Sequence, residues 1–246
     1  MGDVKMGNTV KIDSGKTKMI AHQGLYGLER GNTNMAFVAA GNREKYFGIE
    51  TDVHRTADGK YVCIHDSNTK SVSGIDMDVE SSTFNELRSI CLIPTYGEPE
   101  RPDIRIPSLQ DYINICKFYG KKSILELKTP LADEYVKEII DIISGLGHLQ
   151  DTIFISFHTQ DMIAVRKYLP DQPAQFLTGA WNEDVKKFVL ENHVDIDIAY
   201  PGVTKEAFDD MKACGIEVNV WTIDDPEIAR KFVEWGADYI TSNILE

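Results

Sequence analysis

Acidic and histidine side chains alternate with apolar ones in residues 48–66, GIETDVHRTADGKYVCIHD. On the two-residue period of a β-strand, three polar side chains share one face: Glu50, Asp52 and His54. Asp58-Gly59 favours a type I′ hairpin turn, because both central residues of that turn need positive φ. A hairpin centred there places His65 opposite Asp52, with Cβ atoms roughly 4.5–5.5 Å apart. The run predicts a polar patch that needs a cation or a substrate, unless it is the exposed face of an edge hairpin.

Three more ionisable side chains fall at the ends of expected strands. His22 closes the apolar run that begins at Met19, and Glu126 and Lys128 lie two apart in the run 123–128, so both face the same side. Oxygen ligands on rigid strands suit Mg²⁺ or Ca²⁺ better than zinc. The carboxylates therefore predict a site for a hard divalent cation.

The two histidines are better suited to carrying protons than to binding this cation. The unperturbed pKa of histidine, about 6.5, lets one imidazole accept and another donate a proton near neutral pH. A divalent cation beside an acid–base pair is suited to phosphodiester cleavage, because the cation neutralises phosphoryl charge while the imidazoles serve the attacking and leaving oxygens.

The elements that must position these residues alternate regularly. Eight strands are expected, with a helix after each of the first seven and no clear eighth helix. The strands are expected over 19–22, 48–66 as a hairpin, 123–128, 152–157, 175–178, 196–200, 217–223 and 239–241, and the first helix over 34–46. This order predicts an α/β fold, the (β/α)8 TIM barrel, whose active site lies at the carboxyl ends of the strands.

Two segments interrupt the alternation. Residues 1–17 form a polar N-terminal arm, which we expect to cover the place of the missing eighth helix. Residues 67–105 hold one helical stretch, 83–90, before a run rich in proline and glycine. We expect an insertion over the barrel mouth, since it carries too little apolar material for a core of its own. Residues 1–246 are thus expected to form a single barrel domain.

Composition excludes several classes of partner. The net charge of −13 disfavours nucleic acid and anionic membrane surfaces, both of which need basic patches. No run of 18 apolar residues or signal peptide is found, and Met6 breaks a myristoylation motif. The four cysteines lack metal-ligand spacing: Cys63, Cys91, Cys116 and Cys214. These features predict a cytoplasmic protein with a small-molecule substrate; they say nothing about its oligomeric state.

Five motifs resemble, in order, those of the glycerophosphodiester phosphodiesterase family over residues 18–243: AHQG, GNTNMAF, GIETDVHRTADGKYVCIHD, ELK and VNVWTIDD. The resemblance implies a (β/α)8 barrel with a small insertion after the second strand. It implies metal ligation by Glu50, Asp52 and Glu126, and general acid–base roles for His22 and His65. It further implies that Lys128 contacts the phosphate and that Trp221 lines the side of the mouth that binds the alcohol.

Two residues depart from the family pattern. The family usually reads AHRG and PENT, whereas this chain has Gln23 for the arginine and Gly31 for the glutamate. A cation and an acid are thus lost from one mouth, and we expect the two losses to compensate. Gln23 and His54 complete the expected substrate contacts, although mere exposure is an equal interpretation of His54.

The sequence therefore predicts a metal-dependent phosphodiesterase that hydrolyses small glycerophosphodiesters to an alcohol and glycerol phosphate. Two alternatives stay open. One is a barrel that binds a metal and a phosphorylated ligand with weak turnover or none. The other is a sphingomyelinase D-like enzyme that releases a cyclic phosphate, against which the lack of a basic or apolar membrane-facing stretch argues.

Overall fold

Hydrogen bonds between strands close the sheet into a barrel in the computed structural model, which describes residues 7–95 and 101–246. The strands are β1 Lys18–Ala21, β2 Tyr46–Arg55, β3 Tyr61–Cys63, β4 Lys122–Leu127, β5 Thr152–Ser156, β6 Ala174–Thr178, β7 Asp195–Ala199, β8 Val218–Trp221 and β9 Tyr239–Ser242. All pair in parallel except β3, which is antiparallel to β2, and the β1–β2 pairing closes the ring. The predicted (β/α)8 barrel is confirmed.

Helices cover the outside of the barrel as crossovers between its strands, and two further short helices lie in the described part of the insertion after β3. The helices are α1 Asn34–Gly41, α2 Lys70–Ser73, α3 Phe84–Ser89, α4 Leu109–Tyr119, α5 Asp133–Gly145, α6 Thr159–Tyr168, α7 Glu183–Asn192, α8 Lys205–Ala213 and α9 Pro226–Trp235. Across the described ranges, none of them combines the length and apolar character needed to span a membrane.

Several helices begin where a side chain can accept a hydrogen bond from the free backbone N–H groups of the first turn. Ser108 accepts from the Asp111 N–H in a capping box, and Asp225 accepts from the Glu227 N–H in front of Pro226. The expected extent of the first helix, 34–46, is wrong. α1 ends at Gly41, where a Cβ atom would lie 2.6 Å from Tyr119 Cδ2, and the chain enters β2 at Tyr46.

The hairpin after β2 is shifted by one residue from the predicted register. Val53 pairs with Cys63, and the Ile64 N–H donates to the Asp52 carbonyl. The turn has three residues, because the Thr56 N–H reaches the Lys60 carbonyl and Gly59 adopts φ +74°. The predicted type I′ turn is therefore wrong, and His65 does not pair with Asp52 but lies beyond the end of β3.

The insertion between β3 and α4 shares an apolar cluster with the hairpin. Six of its side chains pack with Val62 and Ile64 of the hairpin: Val79, Leu87, Ile90, Leu92, Ile104 and Ile106. The expected helix over 83–90 forms as α3, capped by Thr83. Part of the proline- and glycine-rich run, 96–100, lies outside the described residues. The insertion thus rests on β3 and joins the barrel through it.

The N-terminal arm pairs with the last residues of the chain. Val10 exchanges backbone hydrogen bonds with residues 244 and 246, and the Ile12 N–H donates to the Glu246 carbonyl at 2.8 Å. Val10 and Ile12 also pack against the main core. Residues 7–17 therefore support the chain after β9, while residues 1–6 of the predicted arm lie outside the described residues.

Candidate active site

Three buried carboxylates meet at the open end of the barrel. Glu50 and Asp52 point inward from β2, and Asp52 lies beside Glu126 of β4 in the strand register. One oxygen from each of the three lies within 4.8 Å of the others. The structure thus brings together the three side chains that the sequence predicted as metal ligands.

The charges around this cluster fit a divalent cation. The Lys128 Nζ atom lies 3.0 Å from both Asp52 Oδ1 and Glu126 Oε1. Burial and the neighbouring carboxylates raise the pKa of Glu50 well above its usual range and that of Glu126 to about 8. Three carboxylates and one lysine leave two negative charges in excess when all are ionised, which a divalent cation with oxygen ligands would balance. The residues present therefore fit Mg²⁺ or Ca²⁺.

Asn32 holds the central carboxylate in place. Its Nδ2 donates to Asp52 Oδ2 at 2.7 Å, and its Oδ1 accepts from the Thr51 hydroxyl at 2.5 Å. Asn32 adopts φ +53°, a conformation that asparagine tolerates better than most residues. Sequence reasoning missed this role of Asn32, because a loop asparagine has no spacing that signals contact with a strand 20 positions later.

His22 follows β1 and is oriented by two residues that the sequence did not single out. Its Nδ1 lies 2.7 Å from Asn243 Oδ1, and Asn243 Nδ2 donates to Asp224 Oδ2 at 2.7 Å. Because Asp224 can only accept when ionised, the amide oxygen faces His22, and the imidazole carries its proton on Nδ1. The Nε2 atom is left for proton exchange, 3.9 Å from Glu50 Oε2. Burial lowers the pKa of His22, although the bond to Asn243 opposes this.

His65 stands at the edge of the same site. Its side chain is half-exposed, and its Nδ1 lies 2.8 Å from Asp66 Oδ1. The acceptor oxygen again places the proton on Nδ1 and leaves Nε2 free. His22 and His65 therefore share one hydrogen-bond arrangement, with Nδ1 bound to an acceptor oxygen and Nε2 free, although they follow different strands.

His54 does not occupy either of its expected places. Its side chain is 1 % exposed and lines neither of the two cavities described below. Its Nε2 lies 3.3 Å from the His65 carbonyl, and its Nδ1 lies 3.5 Å from Glu80 Oε1. The expectation of substrate contact or exposure is thus corrected: His54 holds the backbone at His65.

Gln23 and Gly31 are in contact. The Gln23 N–H donates to Glu50 Oε2 at 2.7 Å, and the residue adopts φ +51°. A Cβ atom at position 31 would lie 2.6 Å from Gln23 Oε1 and 2.3 Å from Tyr26 Cδ2. The Gln23 and Tyr26 side chains therefore take the space into which a larger residue at position 31 would extend.

Two cavities meet at the histidines. The inner cavity, about 300 Å³, lies inside the barrel mouth and is lined by Glu50, Glu126, Lys128, Phe157, Asp197 and Trp221 among others. The outer cavity, about 390 Å³, lies under the insertion and is lined by Gln23, Tyr26, Arg30, Val72, Leu92 and Ile106 among others. His22 and His65 line both cavities. A group held between the two histidines would therefore have one substituent in each cavity.

Comparison with known proteins gives a consistent result. The model of the glycerophosphoryl diester phosphodiesterase family matches residues 22–245. The chain is 26 % identical over 239 residues to the uncharacterized protein YqiK of Bacillus subtilis, covering 94 % of this chain and 96 % of that one. It is also 26 % identical over 234 residues to a glycerophosphodiester phosphodiesterase of Bacillus altitudinis, covering 91 % and 93 %.

Solved structures share the fold. A phosphodiesterase of Oleispira antarctica, in complex with the product sn-glycerol-3-phosphate, superposes with a TM-score of 0.81 at 23 % identity and covers 92 % of each chain. A glycerophosphodiester phosphodiesterase of Parabacteroides distasonis superposes with a TM-score of 0.76 at 24 % identity, covering 96 % of this chain and 94 % of that one.

Proposed function

Because the chain belongs to the glycerophosphoryl diester phosphodiesterase family, we propose that it hydrolyses small glycerophosphodiesters to glycerol phosphate and an alcohol with the help of a divalent cation. One observation carries this proposal: two histidines with free Nε2 atoms stand where two cavities meet, beside three buried carboxylates. The product-bound phosphodiesterase of Oleispira antarctica supports the same substrate class.

Glu50, Asp52 and Glu126 would hold Mg²⁺ or Ca²⁺ in this proposal. When bound, such a cation neutralises charge on the phosphoryl oxygens. Lys128, in ion-pair contact with Asp52 and Glu126, would add a further positive charge for the phosphate.

The histidines divide the proton transfers. One imidazole accepts a proton from the attacking water at its Nε2, and the other donates a proton from its Nε2 to the leaving alcohol oxygen. The Nδ1 bonds to Asn243 and Asp66 hold an N–H on Nδ1 of both rings and direct Nε2 to the substrate. The accepting ring is then neutral, and the donating ring is the imidazolium, which carries a proton on both nitrogens. Gln23 and Trp221 line the outer and inner cavities, respectively, where we propose that they contact the two ends of the substrate.

A product assay tests this function. Purified protein is incubated with glycerophosphocholine, glycerophosphoglycerol and lysophosphatidylcholine, with and without EDTA, and products are followed by ³¹P NMR. We expect glycerol phosphate from the first two, no product in EDTA, and recovery with Mg²⁺ or Ca²⁺. The Glu50→Ala and Asp52→Ala variants should bind the cation poorly.

The other outcomes distinguish the alternatives. A cyclic phosphate from the lysolipid would support the sphingomyelinase D-like reaction. Cation and glycerol phosphate binding without turnover would support a binding protein. Full activity in excess EDTA would contradict the cation requirement. The cytoplasmic location stays a prediction from the cysteine pattern.

A further inference from the structure

Asp197 is a buried carboxyl that the proposed acid–base chemistry does not use. It lies in β7, is 2 % exposed and lines the inner cavity. Its Oδ1 is buried without a hydrogen-bond partner among residues 7–95 and 101–246. An unpartnered carboxyl inside a barrel is destabilising, so its retention next to a cavity calls for a ligand that completes it.

The neighbours of Asp197 leave this oxygen open. Asn219 lies beside it in the register of β7 and β8, but its Nδ2 donates to Gln175 Oε1 and its Oδ1 accepts from the Thr241 hydroxyl, both at 3.2 Å. On the other side, the register places the apolar Leu177. The polar network within the barrel is thus completed without this carboxyl.

The residues around Asp197 indicate which chemical class of ligand the inner cavity would bind. Phe157 and Trp221 meet edge to face, with ring centroids 5.8 Å apart, and form an apolar wall of the inner cavity. Burial alone raises the pKa of Asp197 well above its usual range, which favours the neutral carboxyl, a group that can both donate and accept. A neutral acid beside an aromatic wall suits a hydroxyl group on a short carbon chain better than a phosphate or an ammonium group.

We propose that Asp197 is a specificity-determining residue that binds a hydroxyl of the glycerol half of the substrate in the inner cavity, which places the leaving alcohol in the outer cavity. This inference rests on the proposed function. It assigns the two halves of the substrate by chemistry, because the phosphate would face the carboxylate cluster and Lys128 while the glycerol hydroxyls would face β7. Trp221, which the family resemblance placed on the alcohol side, would then line the glycerol side.

Ligand binding tests the assignment without requiring turnover. Calorimetry in saturating Mg²⁺ compares sn-glycerol 3-phosphate with n-propyl phosphate, which has the same carbon chain without hydroxyls. The wild-type protein should prefer glycerol phosphate. Asp197→Leu should weaken glycerol phosphate binding about 10- to 100-fold and propyl phosphate binding by less than about twofold. Asp197→Asn, which keeps a donor and an acceptor, should retain most of the preference.

Asp195→Asn is the matched control. Asp195 lies two residues earlier on the same face of β7, where its Oδ1 accepts from the Glu217 N–H, and it is not part of the inner cavity. This variant should leave the preference unchanged. Equal loss of both ligands in Asp197→Leu, or no loss, would overturn the proposal; if the leucine variant unfolds, Asp197→Ala, which also removes the polar group, is judged by the same comparison.

A kinetic arm separates a hydroxyl from an ammonium group. Asp197→Leu should lower kcat/KM for glycerophosphocholine and glycerophosphoglycerol alike. A loss confined to the choline substrate would overturn the proposal in favour of an ammonium site. Absence of turnover by the wild-type protein would refute the proposed function while the binding comparison still decides the role of Asp197.

Discussion

The bonds at the Nδ1 atoms of His22 and His65 determine which nitrogen exchanges protons. With Nδ1 facing Asn243 Oδ1 or Asp66 Oδ1, each ring turns Nε2 toward the cavities. We expect His22→Ala and His65→Ala each to lower kcat by about 10²–10⁴ while divalent-cation binding persists. The double variant should lose less than the product of the two effects, because the residues act in one step.

His158→Ala is a suitable control for this prediction, since His158 follows β5 and lines neither cavity. Wild-type turnover in either His22→Ala or His65→Ala would assign that histidine a structural role. Steady-state kinetics with the best substrate of the product assay provides the measurement.

The contact between Gln23 and Gly31 makes their substitutions interdependent. Gly31→Glu alone should be destabilising, because its Cβ would lie 2.6 Å from Gln23 Oε1. Gln23→Arg alone should help little, since the new guanidinium has no acid to orient it. Together they should improve kcat/KM by more than the two single effects combined, up to the roughly 1.5–3 kcal/mol of a charge-assisted hydrogen bond.

A double-mutant cycle measures this coupling. The cycle should be repeated with Tyr26→Ala as background, because Tyr26 also occupies the space beside position 31. A coupling energy within error of zero in both backgrounds would show that the two substitutions act independently of each other.

At the scale of elements, the β2–β3 hairpin positions His65 through the hydrogen bond between His54 Nε2 and the His65 carbonyl. Replacing His54 by Leu keeps an apolar volume but removes the bond to the His65 carbonyl. We expect a stability loss of about 1–3 kcal/mol and a kcat reduced about tenfold, with cation affinity unchanged. Denaturant unfolding and kinetics measure the two effects.

His148→Leu provides the matched comparison, because His148 is also buried but precedes β5 on the other side of α5. It should reduce stability without changing kcat. If both variants lower kcat equally, the effect of His54 is general destabilisation and not the position of His65.

The elements themselves were largely predictable, whereas their exact register was not. Alternation of apolar runs and capping residues such as Ser108 and Asp225 was enough to predict the barrel. Asp58-Gly59 is compatible with turns of two or three residues. The choice between them depends on the twist of the two strands and on their packing against the insertion, which the dipeptide does not encode. The one-residue difference between the predicted and the observed hairpin register leaves His65 outside the paired residues of β2 and β3.

The candidate site was predictable where side chains follow the strand period. Glu50, Asp52 and Glu126 needed only alternation and strand order. The residues that orient the site come from loops distant in sequence, as Asn32 and Asn243 do, and no local pattern reports contacts made by tertiary closure. Asp197 was missed because it alternates with Asp195 along β7, and the sequence does not distinguish the acid that lines the cavity from the one that does not.

At the scale of the whole molecule, buried carboxyls make stability depend on pH and on the cation. The pKa of Glu126 is raised to about 8 from 4.5, so the folded state binds a proton that the unfolded state releases. Its stabilising contribution is complete below the unfolded pKa and is lost as pH rises through about 8. Asp197 contributes with the same sign.

We therefore expect the Tm of the protein in EDTA to fall between pH 5 and pH 8. Saturating Mg²⁺ should raise Tm more at pH 8 than at pH 5, because the cation binds the ionised carboxylates. Glu126→Gln should flatten the slope in EDTA. Thermal unfolding followed by circular dichroism gives both slopes, and a Tm that rises with pH in EDTA would contradict the assignment.

The bond between His22 and Asn243 joins residues 221 positions apart. The His22 ring, which follows β1, is therefore not oriented by this hydrogen bond until the segment after β9 has packed against the barrel. On a translating ribosome, a chain that has emerged only as far as Gly236 contains seven barrel strands, yet its His22 imidazole lacks the hydrogen bond from Nδ1 to Asn243. The protein would then become catalytically active in one late step of folding. The time at which activity appears during synthesis would therefore report when β9 closes the barrel.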